Sequence, residues 1–141
     1  HFECSLDPEM LVYADRTHLS LVMQNLVSNA IKFTQEKGKI SVYASQQDDM
    51  IIICVADNGV GIASQRLNDL FQIETSFSTV GTANEKGTGL GLILCHELVR
   101  ENGGQIWAES TLSEGSRFYF TLPSSIRALS VLDEDSSLKQ N

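Results

Sequence analysis

The sequence predicts an α+β fold, an α/β sandwich in which helices pack on one face of a mixed, mostly antiparallel sheet. Two observations carry this prediction. Strand-like segments occur as two pairs, each joined by a short polar stretch, and two helical segments alternate with these pairs. The chain has 141 residues, of which 42% are hydrophobic, and this is enough for one domain with its own core.

The first half of the chain predicts a long helix and then a β-hairpin. An apolar stretch at residues 10–14 precedes Asp15, which can cap a helix that runs to about Phe33. Two strands follow, joined by a polar turn. Residues 39–45 alternate between apolar and polar side chains, whereas residues 50–56 are continuously apolar. The second strand should therefore lie deep in the sheet.

The middle of the chain predicts irregular structure around a short helix. Residues 57–62 (Asp-Asn-Gly-Val-Gly-Ile) break the strand, and a short helix is expected around residues 64–70. Residues 72–86 show no clear period. A loop of that length in a small domain is usually functional, and we interpret it as a lid.

The last part predicts a second helix and a second hairpin. Gly87 opens the helix, which should end near Gly103 and Gly104. The hairpin strands are expected at residues 105–110 and 116–122, before Pro123. We therefore expect a domain over residues 1–123 and a polar C-terminal tail or linker over residues 124–141.

Composition excludes several classes of function. Lys and Arg total 10 against 18 Asp and Glu, a net charge of -8, so we expect no nucleic-acid partner and no direct membrane contact. No apolar run approaches the roughly 18 residues of a spanning helix, and from its first residues we expect no signal peptide. Cys54 and Cys95 lie in apolar runs, which is typical of buried thiols in a reducing compartment. A cytoplasmic domain is expected, and the full-length protein can still be anchored to a membrane.

Residues 87–92 (Gly-Thr-Gly-Leu-Gly-Leu) stand where a helix should begin. Backbone N–H groups are free there and glycines allow close approach, so the segment can cradle a phosphate. Read alone, such a cluster is more often only a turn. The dinucleotide motif GxGxxG is not matched, and the GxxxxGK motif is missing.

Two further positions carry candidate polar chemistry. Asn25, Asn29 and Lys32 fall within about 60° of one another on the first helix. They can be a solvated helix face, or they can hold a Mg-triphosphate. Asp57 ends the most apolar strand, where its carboxylate can accept a hydrogen bond from an amino group such as that of adenine, or can cap the next helix. Gly59 and Gly61 would let the backbone pass close to a flat base.

These motifs occur in an order that resembles the catalytic, ATP-binding domain of sensor histidine kinases, over about residues 10–123. Residues 25–34 resemble the family's N box, residues 57–62 its G1 box and residues 87–92 its G2 box. Residues 103–106 and 115–118 are similar to its closing signature. The resemblance implies the Bergerat-type ATP-binding fold, shared with DNA gyrase, mismatch-repair ATPases and the heat-shock chaperone. ATP and Mg2+ are the implied cofactors.

The resemblance also implies roles for individual residues. Asn29 would coordinate Mg2+ with help from Asn25, Lys32 would contact phosphate, and Asp57 would read the adenine amino group. Backbone amides of the G2 box would hold the phosphates, and the Thr88 hydroxyl would assist. The implied cofactor-binding set is completed by Gly59, Gly61, Gly87, Gly89, Leu90, Gly91 and Ser116.

The sequence departs from the family pattern at two places. Ser116 stands where the family usually has Thr near the base. The family's F box usually has two Phe residues three apart, whereas Phe71 is followed here by Gln72, Ile73 and Glu74, and Phe77 is the available substitute.

One position bears on the reaction. Related ATPases generally carry a Glu general base one helical turn before the Mg-binding Asn, and Asn25 stands at that position here. An amide cannot take the proton, so hydrolysis should be poor. We therefore expect Asn25 and Lys32 to assist transfer of the γ-phosphoryl to a histidine on a dimerisation domain absent from this chain.

Under this hypothesis we expect two partners for the domain, the histidine-containing dimerisation domain of the same full-length protein and a response regulator receiver domain downstream. We expect the isolated fragment to be a monomer. The alternatives are a non-catalytic nucleotide-binding signalling module and a serine protein kinase of the anti-sigma type, which Asn25 disfavours.

Overall fold

The computed structural model describes residues 1–72 and 91–125 of the chain. Within these ranges the described segments form five strands and three helices. In chain order they are β1 (Phe2–Ser5), α1 (Arg16–Phe33), β2 (Ile40–Gln47), β3 (Met50–Asp57), α2 (Ser64–Leu67), α3 (Gly91–Glu101), β4 (Ile106–Thr111) and β5 (Gly115–Pro123).

The strands form one sheet in the order β1-β2-β3-β5-β4. β1 runs parallel to β2, and the other three pairings are antiparallel. The mixed, mostly antiparallel sheet is the fold class that the sequence predicts. β1 is absent from the sequence-based prediction, because it has only four residues and all of them are exposed.

α1 and α3 cover one face of the sheet, as predicted. Side chains from both helices join those of alternate strand positions in a single buried cluster, at whose centre Phe120 has no exposed surface. The other principal members are Val22, Leu26, Ala30, Val42, Ile53, Val55, Cys95, Leu98, Val99, Phe118 and Leu122. Cys54 and Cys95 are buried, as their apolar context predicts.

Several element ends are fixed by local contacts. Asp15 caps α1, since its Oδ1 accepts a hydrogen bond of 3.0 Å from the His18 N–H. β2 extends to Gln47, two residues beyond its predicted end, because the turn is confined to Asp48 and Asp49 and Asp48 adopts a φ of 55°. The helix predicted around residues 64–70 is shorter, ending at Leu67.

The described chain stays attached to the sheet as far as Ser125. Ser124 is 2% exposed and forms a bridge with Val12, and the Ser125 N–H donates to the Leu11 carbonyl. The domain boundary predicted at residue 123 remains a prediction. In the part of the chain that is described, no helix combines the length and the hydropathy that a membrane crossing requires.

Candidate functional site

A row of polar side chains closes the helix-bearing face of the sheet. Strand register sets apolar residues side by side in two successive rows, Ala44–Ile53–Phe120–Ile106 and Val42–Val55–Phe118–Ala108. The next row consists of Ile40, Asp57, Ser116 and Ser110. Directly paired residues share a face, so Asp57, Ser116 and Ser110 project from the edge of the core.

Asp57 lies at the centre of this polar row. Its Oδ1 accepts a hydrogen bond of 2.9 Å from the Gly59 N–H. Burial raises the pKa of its carboxyl above the ordinary value, although the backbone N–H groups of Gly59 and Ser116 act in the opposite direction. The N-cap of α2 is Ala63, without a side-chain cap, so the alternative role of Asp57 as a helix cap is wrong. Asp57 thus offers a poorly solvated carboxylate to a hydrogen-bond donor.

The turn after Asp57 is held by three neighbouring elements. Asn58 Oδ1 accepts a hydrogen bond of 2.7 Å from the N–H of Lys39, just before β2. The Val60 N–H donates to the carbonyl of Phe33 at the end of α1. The Ile62 N–H donates to Ser110 Oγ at 2.7 Å. The turn is therefore fixed relative to α1 and to both hairpins.

The two glycines of this turn are required by the protein's own backbone. A Cβ at Gly59 would overlap the carbonyl of Phe33. Gly61 has a φ of 74°, and a Cβ there would overlap the carbonyl of Thr111. Close packing therefore accounts for both glycines, and the predicted contact of either one with a base remains a prediction.

The side chain of Asn25 on α1 lies next to Gly91, the first residue of α3. Asn25 Nδ2 donates to the Leu21 carbonyl at 2.9 Å. A Cβ placed on Gly91 would lie only 2.7 Å from Asn25 Oδ1. Gly91, the last glycine of the predicted phosphate segment, therefore packs against the first residue of the predicted metal-binding pair.

The burial of Lys32 contradicts the interpretation of the predicted stripe as a solvated helix face. Lys32 is only 9% exposed, and its Nζ lies 5.2 Å from the centroid of the Phe33 ring. Asn25 and Asn29 are half-buried. About 10 Å of helix axis separates Asn25 from Lys32. The stripe thus extends from the start of α3 towards the turn after Asp57.

The asparagine pair has the chemistry of a hard-cation site. The amides of Asn25 and Asn29 stand one helical turn apart, and amide oxygens suit Mg2+ when phosphate and water complete the coordination. The bond from Asn25 Nδ2 to Leu21 leaves its Oδ1 on the Gly91 side. Residues 1–72 and 91–125 contain no cluster of three His, Cys, Asp or Glu side chains suited to a metal. The candidate protein ligands are the amide oxygens of Asn25 and Asn29, because hard cations prefer oxygen ligands.

The polar row contains one residue that sequence reasoning missed, Ser110. Its hydroxyl contacts the turn after Asp57, the Gly115 carbonyl and the Ser116 hydroxyl. Alternation along β4 was the available signal, since Ser110 follows Ile106 and Ala108 on the core face. Four predicted site residues, Gly87, Thr88, Gly89 and Leu90, lie outside the described residues, as do Phe77 and nearly all of the predicted lid.

The chain is similar to known ATPases and sensor kinases. The family model described as "Histidine kinase-, DNA gyrase B-, and HSP90-like ATPase" matches residues 14–126. Phytochrome-like protein Cph1 of Synechocystis sp. is 43% identical over 114 residues, which cover 79% of this chain and 15% of that protein. Sensor histidine kinase WalK of Bacillus subtilis is 33% identical over 119 residues, 83% of this chain and 20% of that protein. The chain thus spans a minor part of these relatives.

Solved structures show the same relationship. The catalytic domain of histidine kinase ThkA is 35% identical, with a TM-score of 0.71, and the match covers 86% of this chain and 77% of that one. ThkA in complex with the response regulator protein TrrA matches with 32% identity and a TM-score of 0.70, over 88% of this chain and 34% of that one. The resemblance inferred from the ordered motifs is confirmed, and the chain belongs to the family of histidine kinase-, DNA gyrase B- and HSP90-like ATPases.

Proposed function

We propose that this domain binds Mg-ATP and transfers the γ-phosphoryl to a histidine on a helical dimerisation domain of a two-component sensor kinase. The observation that carries the proposal is the position of Asp57, a half-buried carboxylate at the edge of the apolar core, held by the Gly59 N–H. The relatives support the reaction class, since they are sensor histidine kinases and catalytic domains of such kinases.

Asp57 favours adenine as the base. A hydrogen-bond donor on the ligand would stabilise the half-buried carboxylate, because an unpaired buried charge is unfavourable. The adenine amino group donates hydrogen bonds, whereas the oxygen at the same position of guanine would meet the carboxylate as a second acceptor. Ile62 is partly buried beside this row and supplies apolar contact. Asp57 would therefore select an adenine nucleotide.

The α1 stripe would receive the phosphates. Asn29 and Asn25 would hold Mg2+ through their amide oxygens, and Mg2+ would supply charge neutralisation across the phosphates. Lys32 would add a positive charge from a position with little exposure to water. Gly91 lies against Asn25, and backbone amides of Gly87, Thr88, Gly89 and Leu90 would complete the phosphate cradle.

Asn25 argues for transfer to an imidazole rather than to water. Its amide has no basic lone pair with which to take a proton, so water would not be activated there. A neutral imidazole is itself nucleophilic. Its nitrogen would bond to the γ-phosphorus as the bond from phosphorus to the β,γ-bridging oxygen breaks. ADP would leave with the electron pair, and the second imidazole nitrogen would release its proton to solvent.

The phosphoryl group would then pass to a response regulator. The solved ThkA structure contains the response regulator TrrA, and this supports a partner of that class. We propose that the partner is a receiver domain, that the domain acts in the cytoplasm, and that it is monomeric in isolation.

The test supplies this domain together with its histidine-bearing domain, in the full-length protein, with ATP labelled at the γ-phosphate. We expect an acid-labile, alkali-stable label. Asn29→Ala should abolish labelling, while Gln24→Ala, which removes an exposed amide from another face of the same helix, should retain it. An acid-stable serine label would identify the anti-sigma alternative. ATP binding without any transfer would identify a non-catalytic module.

A further inference from the structure

We propose that Ser110 is a positioning residue that fixes the direction in which the Ser116 hydroxyl donates its proton. Ser110 thereby contributes to the preference for a 6-amino over a 6-oxo purine. The inference rests on the proposed function insofar as the ligand is a purine nucleotide. It concerns a residue on β4, which β5 separates from Asp57 on β3, and which the proposed binding roles do not include.

Ser110 Oγ has three polar neighbours at short distances. The Ile62 N–H lies at 2.7 Å, the Gly115 carbonyl oxygen at 2.8 Å and Ser116 Oγ at 2.7 Å. An amide N–H can only donate and a carbonyl can only accept. The single proton of Ser110 therefore goes to Gly115, and the remaining contact requires Ser116 to donate its own proton to Ser110.

Because the Ser116 proton is donated to Ser110, the Ser116 hydroxyl can only accept a hydrogen bond on the side that faces away from Ser110. β5 lies between β3 and β4, so Asp57 and Ser110 flank Ser116 on opposite sides of the row. The Ser116 proton points towards Ser110 and away from Asp57. In agreement, Ser116 acts on the pKa of the Asp57 carboxyl through its backbone N–H. The carboxylate thus keeps acceptor capacity for a ligand.

Two acceptors side by side define which ligand edge fits. Ser116 is only 6% exposed. If a ligand presents an unsuitable group to its hydroxyl, water therefore cannot easily supply the missing hydrogen bond. An amino group has two protons and can satisfy both a carboxylate and a hydroxyl oxygen. A 6-oxo group offers neither proton. Without the Ser110 hydroxyl, the Ser116 proton becomes free to turn towards Asp57 or towards a ligand oxygen, and discrimination should weaken.

The test compares ATP with ITP, which differs by a 6-oxo group at this edge of the base. Calorimetric affinities are measured for the full 141-residue chain and for Ser110→Ala, Ser110→Thr and Ser116→Ala. Ser110→Ala should weaken ATP about tenfold, in the range for one buried hydrogen bond, and ITP by less than about twofold. The ITP-to-ATP ratio of dissociation constants should thus fall about fivefold, and Ser110→Thr should restore it.

The outcomes separate this inference from the proposed function. Equal weakening of ATP and ITP by Ser110→Ala would show a purely structural role and overturn the inference. If Ser110→Ala does not fold, Ser116→Ala decides, because removing the acceptor should also lower the ratio, and an unchanged ratio would overturn the inference. Absence of ATP binding by the unmodified chain would overturn the proposed function itself.

Discussion

Replacing Asp57 by asparagine should separate ligand binding from folding. The two side chains have nearly the same shape, and asparagine keeps an oxygen that can accept the 2.9 Å hydrogen bond from the Gly59 N–H. What is lost is the negative charge that would accept a hydrogen bond from the adenine amino group. Hydrogen bonds to charged groups contribute about 1.5–3 kcal/mol, so the dissociation constant for ATP should rise about 10- to 100-fold.

The same substitution should leave the fold as stable or make it more stable. Because burial raises the pKa of Asp57, ionisation of this group costs stability, and that cost is present at neutral pH. The contribution of this carboxyl is full below its unfolded pKa and is lost as pH rises through its folded pKa. The Tm of Asp57→Asn should therefore equal or exceed that of the unmodified chain at neutral pH, and the difference should shrink as the pH is lowered through the acidic range.

Calorimetry with ATP and thermal unfolding across pH measure the two effects. Asp48→Asn is the matched control, since Asp48 is exposed at the opposite end of the β2–β3 pair and asparagine tolerates its φ of 55°. The control should leave ATP affinity unchanged. Unchanged ATP affinity in Asp57→Asn would refute the assignment of the base site, and a marked loss of Tm at neutral pH would refute the argument from burial.

Two further predictions concern glycines near the site. Gly61→Ala should lower the free energy of unfolding by more than about 2 kcal/mol in denaturant titrations, because it combines a φ of 74° with overlap on the Thr111 carbonyl. Gly91→Ala should leave Tm nearly unchanged, since alanine favours helices, but should weaken ATP binding in calorimetry, because the added methyl would lie 2.7 Å from Asn25 Oδ1 and displace that amide.

Each glycine prediction has an internal comparison. Gly103 has a φ of 83°, but a Cβ there would meet only Pro123 Cγ, at an ordinary contact distance of 3.5 Å, so Gly103→Ala carries the conformational cost without the overlap and should destabilise less than Gly61→Ala. Equal losses would remove the role assigned to the Thr111 contact. For Gly91→Ala, Asn25→Ala is the relevant partner. If Gly91→Ala weakened ATP binding just as much in the Asn25→Ala background, displacement of the amide could not be its mechanism.

Local signals were sufficient for most of the fold. The cap at Asp15 and the apolar spacing after it located α1, and the continuous apolar run before Asp57 identified β3 as a central strand. The position of Asp57 directly after this run predicted a carboxylate at the end of a buried strand. The structure adds that Asp57 shares a face of the sheet with the core residues Ile53 and Val55.

What the sequence did not predict depends on pairing between distant segments. β1 is a strand because Phe2 and its neighbours pair in parallel with β2, and nothing in four exposed residues signals that partner. Lys32 is buried although its helix position suits a solvated stripe. The contact between Ser110 and Ser116 follows from the β4–β5 register, which neither strand specifies by itself.

The site depends on the register of two strand pairs more than on any single motif. Asp57 meets Ser116 through β3 and β5, and Ser116 meets Ser110 through β5 and β4. A slip of one residue in either pair would turn a member of this row to the other face of the sheet, away from α1. The turn after Asp57 opposes such a slip, because its backbone N–H groups donate hydrogen bonds to the carbonyls of Phe33 and Lys39 and to the hydroxyl of Ser110. The same turn that presents the carboxylate thus also fixes the register on which the polar row depends.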